Sequence, residues 1–175
     1  PTVWRAPTDN DRNIRWQWQN AGYDRATVKC YDCALTASAD PSCDRSVTVT
    51  AHLSLGAAPQ CPILHATVTY TFLAEGGVIL HWDVDVREDL PFLPLCGVDF
   101  LMPGGNEYLR YFGRGPVESY ADKRHASRQG LFESTVTGHF EHYVRPQENM
   151  AHTDTTWMTV ANAAGQGLMA VAAGK

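Results

Sequence analysis

Acid–base chemistry needs carboxylates or histidines at useful spacing, and this chain gathers its suggestive ones in its second half. Glu118 and Asp122 fall within Gly113-Arg-Gly-Pro-Val-Glu-Ser-Tyr-Ala-Asp-Lys-Arg-His125, and Glu141 and Glu148 follow. Two carboxylates flanking one bond are what glycoside hydrolysis requires, one as proton donor and one as nucleophile or base. Yet Arg114, Lys123, Arg124 and Arg145 stand close to these acids, and a cationic neighbour keeps a carboxylate ionised, which favours an ion-pair role over a general acid. His139 and His142 bracket Phe140-Glu141, and His152 comes later, so groups titrating near neutral pH are available. Residues three apart face opposite sides of a strand and converge only on a helix. With no His-Glu-x-x-His pattern, the reading is of separate surface or loop histidines.

Other chemistries find less support. Cys30-Tyr-Asp-Cys33 has the gap of a zinc half-site, but on an alternating strand its thiols face opposite ways and no second pair follows, so no metal site is expected. There is no Gly-x-Ser-x-Gly elbow. Gly104-Gly105, Gly113-x-Gly115 and Gly165-x-Gly167 lack the spacing of a nucleotide loop and read as turns. Trp4, Trp16, Trp18, Trp82 and Trp157 could stack on sugar rings; inside strands, Trp82 and Trp157 read first as core or domain-interface anchors.

The elements that must position these residues are strands. With 44% hydrophobic and 19% charged residues, the 175-residue chain can bury one sizeable core, and a single domain over 1–175 is expected. A net charge of -5 with scattered Lys and Arg argues against nucleic acid, and no apolar run reaches the length of a spanning helix, so no membrane partner is expected. Five cysteines, Cys30, Cys33, Cys43, Cys61 and Cys96, are an odd number, which points to reduced thiols in a cytoplasmic protein. The first residue is Pro1 rather than Met, so a piece of a longer chain is expected.

Period-two alternation dominates. Arg45 to Leu55 places Val47, Val49, Ala51, Leu53 and Leu55 on one dry face and Thr48, Thr50, His52 and Ser54 on a wet one. His65 to Leu73 and Val78 to Val86 form a hairpin through Glu75-Gly-Gly77. Further strands are expected at Ala26 to Ala37, Leu95 to Met102, Tyr108 to Gly113, Thr155 to Ala161 and Leu168 to Ala172. One short N-terminal helix, capped by Asp9 or Asp11, runs through Ile14, Trp16 and Trp18 to Asn20-Ala-Gly22, and Asp122 to Gly130 adds a short turn. Such a pattern is all-β, two packed antiparallel sheets in a large sandwich.

Three separated motifs carry a family resemblance: Trp4-Arg-Ala-Pro-Thr-Asp-Asn-Asp11, Tyr111-Phe-Gly-Arg-Gly-Pro-Val-Glu-Ser-Tyr-Ala-Asp122, and Tyr143-Val-Arg-Pro-Gln-Glu-Asn149 with Thr153-Asp154. In order and spacing they closely resemble the C-terminal, small-chain domain of glycoside hydrolase family 2 β-galactosidases; between Cys30 and Gly105 only the strand pattern matches. The resemblance implies an antiparallel β-supersandwich, galactose mutarotase-like, at the end of an enzyme that releases terminal non-reducing β-galactose with retention. It implies that the catalytic glutamates and the Mg2+ ligands lie on a separate (β/α)8 barrel, leaving this fragment without catalytic residues or cofactor and inactive alone. Its implied partners are the parent's other domains, a galactoside and further copies in a homo-oligomer.

The matched polar residues Arg5, Asp9, Asn10, Arg114, Glu118, Tyr120, Asp122, Glu148 and Asn149 are the candidates for a sugar-contacting or inter-domain face. Two departures stand out. The family commonly has Glu-Asn-Tyr where this chain has Glu118-Ser119-Tyr120, and an Asn-Gly turn followed by Arg where it has Asn149-Met150-Ala151-His152. Met150 would occupy a positive-φ glycine position at some cost, so a rebuilt turn is expected. The alternative function is a free-standing carbohydrate-binding or aldose 1-epimerase (mutarotase)-type domain, in which a His and a Glu open and close the sugar ring by proton transfer. A protein-interaction module is a third class.

Overall fold

The computed structural model describes residues 1–38 and 46–173, so Cys43, Arg45 and Lys175 lie outside the described residues. The chain divides into two compact units, Pro1–Arg5 with Asp11–Asp99, and Ala6–Asn10 with the chain from Phe100 onward.

In the first unit, β1 (Thr27–Ala37), β2 (Ser46–Gly56), β3 (Leu64–Leu73) and β4 (Val78–Val86) form an antiparallel sheet in sequence order. The β3–β4 reversal is the expected one: Leu73 N–H donates to the Gly77 carbonyl at 2.8 Å, and Gly76 takes φ 99°, where a side chain would be strained. The expected dry and wet faces of β2 hold only in part. Leu53 and Leu55 are buried, but Ser54 is buried too, with its hydroxyl 3.0 Å from that of Tyr31, while Val47 is exposed.

A bulge at Tyr31 corrects the reading of the cysteine pair. Cys30 pairs with Leu53 and Cys33 with Ala51, two residues apart on β2, so both thiols share one face. The extra residue removes the parity on which opposite faces were expected.

The helix is shorter than expected. Asp9–Asn13 is a 3-10 turn and α1 covers only Arg15–Asn20, with Ile14 at its start making no side-chain cap. The two candidate caps are engaged elsewhere, Asp11 by Arg5 and Asp9 by Arg145. The stop at Gly22 is as expected: φ is 81°, and a Cβ there would sit 2.6 Å from that of Ala57. α1 turns Trp18 into the core with Val3, Tyr23, Ile63 and Leu64 and leaves Trp16 exposed. The Trp18 indole meets Phe92 edge-on at 5.6 Å, and the Tyr23 hydroxyl donates to the Pro91 carbonyl at 2.6 Å.

Leu95 to Met102 is not a strand. Only Gly97 pairs, in an isolated bridge with Thr2, because the prolines at 91, 94 and 103 interrupt any ladder.

The second unit holds β5 (Tyr108–Gly115), β6 (Arg128–Thr135), β7 (Trp157–Ala161) and β8 (Gly167–Val171), antiparallel in the order β6-β5-β7-β8. β6 was not anticipated. The expected short turn is a 3-10 segment, Ala121–Ala126, ending where that strand begins. The class is therefore mostly β, two four-stranded antiparallel sheets with little helix. Among the described residues no helix is long and apolar enough to cross a membrane.

Candidate functional site

In the second unit, two loops beyond β5 and before β7 are laced together, and most of the matched polar residues lie on them. Arg114 N–H donates to the Thr153 carbonyl at 3.1 Å and Ser119 N–H to that of Ala151 at 2.7 Å. Ser119, at the position where the resembled family has Asn, is fully buried; its hydroxyl is 2.7 Å from that of Thr153 and accepts from Ser127 at 3.1 Å. A buried hydroxyl needs such partners.

Glu118 accepts from three donors. Lys123 Nζ donates to its Oε1 at 2.6 Å, the Tyr143 hydroxyl donates to the same oxygen, and the Met150 N–H reaches Oε2 at 3.4 Å. Lys123 also donates to the Tyr143 hydroxyl at 2.5 Å, closing a triangle. Burial pushes the Glu118 carboxyl up, but the Lys123 and Tyr143 hydrogen bonds and the Lys123 charge outweigh it and hold the carboxyl below its ordinary range. Those hydrogen bonds raise the Lys123 ammonium in turn. An acid held ionised by three donors accepts hydrogen bonds; it has no proton to give at neutral pH.

Tyr120 stands beside it. Burial pushes its phenol up to about 12, with the Ala151 backbone acting against that, and its hydroxyl makes no hydrogen bond of normal geometry. Asn149 closes the other loop: its Nδ2 donates to the Glu141 carbonyl at 2.7 Å and its Oδ1 accepts from the Glu141 N–H at 2.8 Å. Met150 has φ 69°, so the turn keeps a left-handed residue without a glycine. Glu148 and Asp122 are exposed.

Arg114 forms a second centre. Its Nε donates to Asp154 at 2.9 Å, as does Arg124 Nη2 at 2.6 Å, and Arg114 Nη1 reaches the Arg124 and Ser127 carbonyls at 3.4 and 3.3 Å. Asp154, at φ 54°, also offers its carbonyl to Gln129. Asp9 belongs to this unit: its N–H donates to the Pro146 carbonyl at 2.8 Å and its carboxylate accepts from Arg145 at 3.2 Å. Asn10 is exposed. Arg5 is in the first unit, bidentate on Asp11 at 2.5 and 3.1 Å and 5.4 Å above the Trp18 ring.

The histidine reading needs correction. His139 and His152 are hydrogen-bonded to each other at 3.0 Å, and His152 lies against the buried Tyr111 ring at 4.2 Å. His142 instead meets Phe140 edge-on. Tyr143 and Asp154 stood inside the matched motifs, but nothing in their spacing marked them as partners of Glu118 and Arg114. Among the described residues no group of three His, Cys, Asp or Glu converges as metal ligands would.

Residues 1–174 match the family described as Beta galactosidase small chain. The chain belongs to that family. The small-chain domain is 32% identical to a β-galactosidase of Actinobacillus pleuropneumoniae over 160 residues, 91% of this chain and 15% of that protein. It is 31% identical to the Staphylococcus xylosus β-galactosidase over 91% of the chain and 16% of that protein, and 30% identical to β-galactosidase BgaC of Bifidobacterium adolescentis over 95% and 16%. The small-chain domain thus spans about a sixth of the relatives it matches.

Proposed function

We propose that this small-chain domain is a non-catalytic accessory part of a β-galactosidase, packing on a separate catalytic barrel and helping to shape the sugar pocket. The observation that supports this most is the state of its best-placed acid: Glu118 is kept ionised by Lys123 and Tyr143, and the other engaged candidates, Arg114, Asn149, Asp9 and Arg5, hold loops together. Residues so engaged keep a wall rigid rather than move protons. The parent is a glycoside hydrolase family 2 enzyme of retaining type, and this part is a galactose mutarotase-like supersandwich. Mg2+ is assigned to the parent's other domains, as the family resemblance implies; among the described residues no three His, Cys, Asp or Glu side chains converge as ligands would. The parent is a homo-oligomer in the cytoplasm, in keeping with four free, exposed thiols among the described residues.

Two assays test the reading. The 175-residue chain is expected to leave a chromogenic β-galactoside intact and to leave the mutarotation of fresh α-galactose at the buffer rate. Hydrolysis by the isolated chain defeats the proposal. Mutarotation lost in Glu118→Gln or His142→Ala supports the epimerase-type alternative instead.

A further inference from the structure

The first unit carries a groove apart from the loops described above. Its volume is ≈ 810 Å³, within the range of small-molecule sites, and α1 forms one wall with Trp16, Gln17 and Asn20. The opposite walls are the loop around Gln60 and the segment from Arg87 to Pro91. α1 explains the placement: Trp16 and Asn20 are four residues apart on one face, and Trp18 points the other way into the core.

The walls are tied to one another. Gln60 Nε2 crosses to the Asn20 carbonyl at 2.8 Å, Arg87 Nη1 reaches the Cys61 and Pro62 carbonyls at 3.3 Å each, and Tyr23 holds the Pro91 carbonyl. A groove held this way loses little freedom on binding. The side-chain amides of Gln17 and Asn20 have no partner among the described residues, and the Trp16 indole is 54% exposed.

Charge decides the ligand class. Arg87 is the groove's one charged lining residue, and Asp89, 2.5 Å from its Nε, offsets that charge, so the groove carries little net charge to favour an anion. An exposed indole face beside two open amides suits a neutral ring with an apolar C–H face and hydroxyls at its rim. We propose that this groove binds a neutral pyranoside, with one ring stacked on Trp16 and its hydroxyls bonded to Gln17 and Asn20; the volume admits a disaccharide. The proposal does not depend on the accessory role, which the hydrolysis assay tests separately.

Saturation-transfer NMR on the 175-residue chain tests it, with methyl β-D-galactoside and lactose as probes. Saturable transfer to the ring protons is expected, with dissociation constants of about 1–10 mM. Trp16→Ala should abolish it, Trp16→Tyr should retain it, and Gln17→Ala should weaken it about tenfold, a change equal to one modest hydrogen bond. Trp16 is outside the core, so far-UV circular dichroism should be unchanged in all three variants. Several outcomes overturn the site: no saturable transfer from either sugar up to about 100 mM, equal transfer to Trp16→Ala or to acyclic sorbitol, or tighter binding of galactose 6-phosphate than of the neutral sugars.

Discussion

His139 Nδ1 lies 3.0 Å from His152 Nε2, and His152 Nδ1 lies 2.9 Å from the Arg114 carbonyl oxygen. A carbonyl only accepts, which assigns the proton of neutral His152 to Nδ1 and leaves Nε2 to accept from His139. One added proton can be shared by reversing the inner bond. A second puts two N–H groups head to head.

This pair makes the second unit acid-sensitive. Burial, and then the neighbouring His152, lower the His139 pKa below 6.5, so the folded state binds this proton less readily than the unfolded chain. Its contribution is therefore complete above about pH 6.5 and is lost as pH falls toward the lower, folded value. Thermal melts between pH 7.5 and pH 5 should show a falling Tm that flattens in His139→Gln; an equal slope in that variant refutes the assignment.

Glu118→Gln removes the charged acceptor from Lys123 and Tyr143. A loss of roughly 1–2 kcal/mol is expected from charge-assisted bonds at this partly buried carboxylate, with the Lys123 share reduced by its exposure. Tyr143→Phe should cost about 1 kcal/mol, and the double mutant less than the sum. The Glu118 contribution is present above the ordinary carboxyl pKa of 4.5 and is lost as pH falls through its lowered value. Urea titrations at pH 7 and in a series from pH 5 down to about pH 3 measure both effects.

Much of the scaffold was legible because period-two alternation is a direct print of sheet burial, and β1, β3 and β4 begin and end within a residue of their expected bounds. Where local pattern is weak, the reading failed. β6 carries Gly130, with two polar residues at its start and three at its end, and Leu95 to Met102 is apolar without alternating. The bulge at Tyr31 leaves no sequence mark, yet it brings Cys30 and Cys33 to one face. The motif residues were the right ones to single out, but their partners come from loops 5 to 40 residues away, as with Glu118–Lys123 and Arg114–Asp154, and the His139–His152 bond spans two loops with no shared period.

Met150 takes φ 69°, in a region that costs a non-glycine L-residue about 1–2 kcal/mol. Glycine removes that strain but adds about 0.4–1 kcal/mol of unfolded-chain entropy. Met150→Gly should therefore stabilise by about 0.5 kcal/mol, and Met150→Val should destabilise by more than 1 kcal/mol. Denaturant midpoints that move the opposite way would show the turn held by side-chain packing instead.

Gly115 ends β5 against an aromatic wall. A Cβ there would meet the Phe132 ring at 2.8 and 2.9 Å and also the Tyr111 hydroxyl, and Tyr111 is fully buried. Gly115→Ala is expected to cost about 1–3 kcal/mol by overpacking, and Phe132→Leu in the same chain to recover part of it. No recovery in the double mutant points to backbone strain in place of ring contact.

The strand order of the second unit sets a sequence of events for a nascent chain. β5 and β6 pair as neighbours along the chain, but the other flank of β5 waits for β7, which starts 42 residues after β5 ends, at Trp157. Until then Tyr108 to Phe112 offers a bare ladder of amides and carbonyls to any passing strand. Synthesis that stalls before Trp157 would leave a half-built sheet open to mispairing, whereas the first unit, whose strands pair in order of emergence, is closed behind the ribosome as it goes.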